Sequence, residues 1–170
     1  MWPFKSRKSA EPCCPVGQYR LGATIDSMQQ ITHLSPLEVA LLNPEITFEG
    51  EEIWNCADAK FVGLNWRTII GSVNRTIYKV SIQWNGPRRQ AGVPCREIAI
   101  FCTKHYGKQK DIHFEGRNLT VWDASDANIV FDMATGKSEA LLNLTFTSND
   151  LAKFKRHEAG RARGGSRVDV

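Results

Sequence analysis

Phe48-Glu49-Gly50 returns 66 residues later as Phe114-Glu115-Gly116, and the chain behind each copy runs a similar course. Behind the first copy come Trp54, two strand-like runs, a turn glycine at Gly71 and a closing run that ends at Trp84. Behind the second come Trp122, two strand-like runs, Gly136 and a closing run that ends near Phe146. The turn glycines are offset by 65 residues, so the halves stay in step. A matched order of elements at a near-constant offset is the signature of an internal repeat.

Each copy is preceded by a helix signal. Ser35-Pro36-Leu37-Glu38 holds an N-cap serine, a proline where a missing N–H costs nothing, and a glutamate placed to close a capping box. Leu37, Leu41 and Leu42 then face the core until Asn43-Pro44 ends the helix. The second helix runs from Pro94 to Tyr106, with Ile98, Phe101, Cys102, His105 and Tyr106 at i, i+3, i+4, i+7 and i+8. Gly107 supplies its C-cap. A further helix, capped by Thr24 or Asp26, is expected to carry Ile25, Met28 and Ile31 on one face.

Strand periodicity fills the rest. Ile46 and Phe48 alternate before Gly50, residues 58–70 form one or two runs broken near Gly63, and Gly71-Ser72-Val73-Asn74 turns the chain. Tyr78, Val80, Ile82 and Trp84 then share one face, which leaves Lys79, Ser81 and Gln83 on a wet one. In the second half the strands are 118–123, 127–134 and 139–147. The expected fold is α+β: two tandem repeats of a helix followed by a three-stranded antiparallel meander, with the helices packed on one face of the sheet. The chain divides into a flexible basic leader (1–17), a first repeat (18–85), a linker (86–93), a second repeat (94–150) and a disordered basic tail (151–170).

The apolar share of 42% and charged share of 24% mark a soluble globular chain, and no apolar run approaches the length that spans a bilayer. The opening residues hold no apolar stretch that reads as a secretory signal or lipoprotein leader. The expected compartment is therefore the cytoplasm. Five cysteines, Cys13, Cys14, Cys56, Cys95 and Cys102, read as reduced thiols rather than a disulfide framework. The net charge of +4 sits at the ends, because residues 21–152 hold 12 basic and 15 acidic side chains, or −3. A basic pI here does not mark a nucleic-acid-binding fold.

With its Leu21-Gly22-Ala23-Thr24 entry, the repeat of a helix and a three-stranded meander over residues 19–147 is similar in outline to two groups. One is the BamE-like small lipoproteins of outer-membrane assembly; the other is the beta-lactamase inhibitory protein family, a tandem of such units. The resemblance implies a fold and a tendency to bind proteins. It carries over no functional residue, and the lipidated cysteine and the cysteine pairs of those groups are missing.

Candidate chemistry is sparse. Cys95, Cys102 and His105 line up on one helix face, and a zinc site there would draw a fourth ligand from His113 or Cys56. The same positions are apolar-stripe positions, where free cysteine packs as a small hydrophobe. A cysteine nucleophile served by His105, with Asp111 or Asp132 orienting it, lacks any accompanying motif. Asp123, Asp126 and Asn128 resemble calcium ligands but lack the glycine and final glutamate of an EF-hand, and hairpin turns favour the same residues. Glu49, Glu51 and Glu52 form an acidic rim, and Trp66 beside Arg67 is the best exposed hot-spot candidate. The reading is a non-catalytic protein-binding module, immunity-like, inhibitor-like or an accessory subunit, with no cofactor and an unknown protein partner. A nucleic-acid-associated protein acting through its basic tails stands second, and a thiol- or metal-dependent enzyme using Cys95, Cys102 and His105 third. A homodimer through a wet sheet face is left open.

Overall fold

The structure, a computed structural model, describes residues 19–42 and 51–150. In chain order its elements are β1 (Ile31–His33), α1 (Pro36–Leu42), β2 (Glu52–Phe61), β3 (Leu64–Val73), β4 (Thr76–Pro87), α2 (Gly92–Tyr106), β5 (Lys110–Phe114), β6 (Arg117–Asp123), β7 (Ala127–Thr135) and β8 (Glu139–Ser148). Short 3-10 turns add Ile25–Ser27 and Arg88–Gln90.

All eight strands form one sheet in the order β1-β2-β3-β4-β8-β7-β6-β5, with every neighbouring pair antiparallel. This corrects the expectation of two helix-plus-three-strand repeats. The two meanders are joined edge to edge by β4 and β8, which pair continuously from Lys79↔Thr147 to Pro87↔Glu139. The second meander has a fourth strand, β5, which helix-to-strand spacing did not reveal. Gly86 and Pro87, expected in a linker, belong to that central pairing.

The helices are not on one face. Ile98 and Cys102 of α2 are fully buried against Trp66, Ile70, Val80, Ile82, Ile129, Leu142, Leu144 and Phe146. Val39 of α1 packs instead on Leu34, Ile53 and Ile69. Ile69 and Ile70 are successive residues of β3, and successive strand side chains point to opposite sides, so α1 and α2 cover opposite faces. The α2 face carries the larger core; each isoleucine or leucine buried there contributes roughly 1.5–3 kcal/mol.

The expected first helix is a single 3-10 turn followed by β1. Thr24 makes no capping bond through its side chain, and Gln30 takes a left-handed φ of 55° that ends any helix. Ile25 still reaches the core, because Gly22, Ala23 and Ile25 bond through their backbones to Arg75 and Ile77 at 2.7–2.9 Å. The capping box forms as expected: Ser35 N and Oγ donate to Glu38 Oε2 at 2.8 and 2.7 Å. Leu37, however, is exposed, and the side chains of Leu41 and Leu42, with Ile46, Phe48 and Gly50, lie outside the described residues.

Gly71 is not the turn. It is a buried residue of β3 at a register shift, and the chain reverses at Asn74-Arg75, with φ of 49° and 62°. Val62-Gly63 and Glu115-Gly116 turn their hairpins with the same paired positive φ values, 45° and 79°, then 47° and 77°. Two-residue connections of this hand match the twist of the strands they join. Arg75 is fixed there by a charge-assisted bond from its Nε to Asp26 Oδ1 at 2.9 Å. The Phe114 copy of the repeated tripeptide is thus a hairpin end, while Phe48-Glu49-Gly50 lies outside the described residues.

Candidate functional site

The sequence's own candidates scatter. Trp66, expected at the surface, is fully buried and donates its Nε1–H to Phe61 O at 2.9 Å, so it is a core residue. Arg67 beside it is exposed, held by a bond from Nε to Asn55 Oδ1 at 3.1 Å. Of the expected acidic rim, Glu51 is not at the surface. The Glu51 side chain is fully buried and pairs with Lys79 Nζ at 3.1 Å, and Glu52 accepts a bond from Ser72 Oγ at 3.3 Å. Glu49 lies outside the described residues. Lys79, expected on a wet face, is only 7% exposed.

The thiol cluster does not assemble. Cys102 is fully buried, while His105 is exposed and tilted against the Phe101 ring at 4.3 Å. Desolvation raises the Cys95 thiol above its ordinary pKa, and its Sγ meets Met133 Sδ at 3.7 Å. Burial pushes Cys56 up to about 12 against a weaker opposing bond from Tyr19. Such thiols stay protonated at neutral pH and are poor nucleophiles and poor ligands. Among the described residues no group of His, Cys, Asp and Glu is placed to hold a metal ion. Asp123 is instead bound by Lys110 at 2.6 Å, and Asp126 O accepts the Asn149 amide at 2.9 Å.

What the fold does bring together lies at one end of the central strand pair. The end of β4, the following 3-10 turn and the start of β8 enclose an open depression of about 900 Å³, lined by Asn85, Gly86, Pro87, Arg88, Arg89, Lys137, Ser138 and Glu139. Arg88 N donates to Ser138 O at 2.9 Å, which locks the two sides of the depression together. Arg88, Arg89 and Lys137 are exposed, and none is in an ion pair among the described residues. With Glu139 as the one acid of the lining, the depression carries a net charge of +2. The Trp84 indole lies against Gly86 so closely that a Cβ there would sit 2.5 Å from the ring.

Asn85 of the lining also ends a polar stripe on the face opposite α2. Ser81, Gln83 and Asn85 follow one another at strand spacing, opposite Thr145, Asn143 and Leu141. Ser81 and Thr145 share a hydroxyl bond of 3.0 Å, and Asn143 Oδ1 is shielded from solvent with no hydrogen-bond partner among the described residues. Asn143 lies four residues along β8 from Glu139, roughly 13 Å at the rise of a strand.

No protein family, curated protein or solved structure matches the chain. The lining brings cations and amides together, groups that can bind an anionic or polar ligand. Arg88-Arg89 was legible as a basic doublet, but it sat in residues expected to be a linker. Lys137 is 48 residues away in sequence and joins it only through the β4–β8 register.

Proposed function

We propose that this protein is a non-catalytic protein-binding module, an accessory subunit or inhibitor-like protein, that receives an extended acidic segment of its partner. The observation that carries the reading is the convergence of Arg88, Arg89 and Lys137, without anionic partners among the described residues, on one depression. Arginine offers a planar fork of donors that matches a carboxylate bidentately, and lysine adds a point charge. An extended peptide also carries backbone N–H groups at strand spacing, which suit the exposed amide of Asn85 in the lining. A nucleic acid has no such regular donor and would meet Glu139 with a phosphate. Steering by the local charge raises the association rate more than the affinity.

The cytoplasm is the compartment we assign, because none of the described cysteines, Cys56, Cys95 and Cys102, is in a disulfide. No helix among the described residues is long and apolar enough to cross a membrane. The reading is tested by titrating the purified protein with a fluorescent oligoglutamate peptide and with a single-stranded oligonucleotide of equal charge. Peptide binding that is lost in an Arg88→Glu, Arg89→Glu, Lys137→Glu variant supports it. Preference for the oligonucleotide, or peptide binding indifferent to the three reversals, refutes it.

A further inference from the structure

We propose that β5 is the edge through which two copies of this chain pair, antiparallel and about a two-fold axis at Ile112. β5 closes one side of the sheet and pairs only with β6 among the described residues. All five of its residues are exposed, so nothing among the described residues lies over it. A sheet edge displays a row of backbone N–H and C=O groups that templates another strand. Of the usual defences β5 has the charges of Lys110 and Asp111 but no proline and no register shift, and Ile112 and Phe114 are 45% and 57% exposed. The opposite edge, β1, is only three residues long.

The sequence of β5 is complementary to itself in one register. A two-fold axis normal to the sheet places residues of like facing opposite each other, so the axis must pass through a residue rather than between two. Centred on Ile112, it sets Asp111 opposite His113 of the second copy, twice, and Ile112 opposite Ile112. Centred on Asp111 or His113, it sets two carboxylates or two imidazoles against each other, which disfavours those registers. Both polar side chains are already oriented by β6: Thr120 Oγ1 donates to Asp111 Oδ1 at 2.9 Å, and His113 Nδ1 bonds Asn118 Oδ1 at 2.9 Å. One pair of five-residue strands buries far less than the roughly 1,200–2,000 Å² of a stable interface. The dimer is therefore one that dissociates on dilution. It makes a continuous sheet and presents two copies of the basic depression to a partner.

Sedimentation of the intact chain over a micromolar-to-millimolar series tests this. The wild type moves from monomer to dimer with rising concentration. Asp111→Arg and His113→Glu each weaken the association by about tenfold or more, and the double variant, in which Arg faces Glu, recovers it. All these positions are exposed, and circular dichroism checks that each variant is folded. Hydrogen exchange gives a second readout, since β5 amides become protected as concentration rises. A wild type that stays monomeric throughout overturns the proposal. So does a dimer indifferent to both single changes, or a double variant no better than the singles.

Discussion

Replacing Gly71 by alanine adds one methyl group to the centre of β3, and its neighbours make the consequence specific. The new Cβ would lie 2.5 Å from Glu51 Oε1 and 3.2 Å from both Lys79 Cε and Tyr78 Cε1. A carboxylate at the end of a flexible side chain normally moves aside at little cost. Here it is fully buried and bonded to Lys79, whose own side chain is 9% exposed, so moving it separates a buried ion pair. Breaking such a pair costs about 3–5 kcal/mol, whereas overpacking that leaves the pair intact costs about 1–3 kcal/mol. The expected loss for Gly71→Ala is therefore about 3 kcal/mol, read from urea unfolding as a lower midpoint at unchanged m-value. Glu51→Ala removes the obstructing oxygen, so in that background Gly71→Ala should cost about 2 kcal/mol less, a coupling within the range for contacting residues. A loss below about 0.5 kcal/mol, typical of an ordinary surface substitution, would refute the notch reading, as would strict additivity with Glu51→Ala.

Other consequences follow from the core, the cap and the thiols. Trp66→Phe removes the bond to Phe61 O and should cost about 1–3 kcal/mol by denaturant unfolding while leaving partner binding intact; lost binding at unchanged stability would return Trp66 to the surface. Bonds from Ser35 hold the Glu38 carboxyl below the ordinary glutamate range, so its stabilising effect is full above the unfolded-state pKa and fades as pH falls through the lowered folded one. Melting temperatures of the wild type and Glu38→Gln should accordingly converge in acid and separate at neutral pH; a gap that widens in acid contradicts the cap. Native protein treated with a thiol reagent at pH 8 should be labelled at Cys56 and Cys102 only after unfolding, as mapped by mass spectrometry, and rapid native labelling of Cys56 would contradict its burial.

Local signals carried the elements, and long-range pairing carried the architecture. Ser35 and Glu38 announced α1 because a capping box is complete within four residues. The α2 stripe and the strands over 118–123, 127–134 and 139–147 were legible through their periods, and each lies within the observed element. β5 was not, since Lys110-Asp111-Ile112-His113-Phe114 buries neither face and so shows no burial period. Gly71 misled in another way. Glycine reads as a turn residue, but this one makes room for a carboxylate, and Asn74-Arg75 supplies the turn. Whether two meanders stand as repeats or merge depends on β4 meeting β8, a register spanning about sixty residues that no local pattern encodes. The candidate site shares that origin, because Arg88, Arg89 and Lys137 become neighbours only through the same pairing.

The central claim, recognition of an acidic protein segment at the end of the central strand pair, is tested most directly by affinity purification from the native host with mass-spectrometric identification. Three baits are needed: the wild type, the Arg88→Glu, Arg89→Glu, Lys137→Glu variant, and a chain lacking residues 153–170. The account predicts a stoichiometric protein partner with an acidic stretch, retained by the truncated bait and lost from the charge-reversed one. Recovery of ribonucleoprotein that depends on residues 153–170 and ignores the three reversals would contradict it.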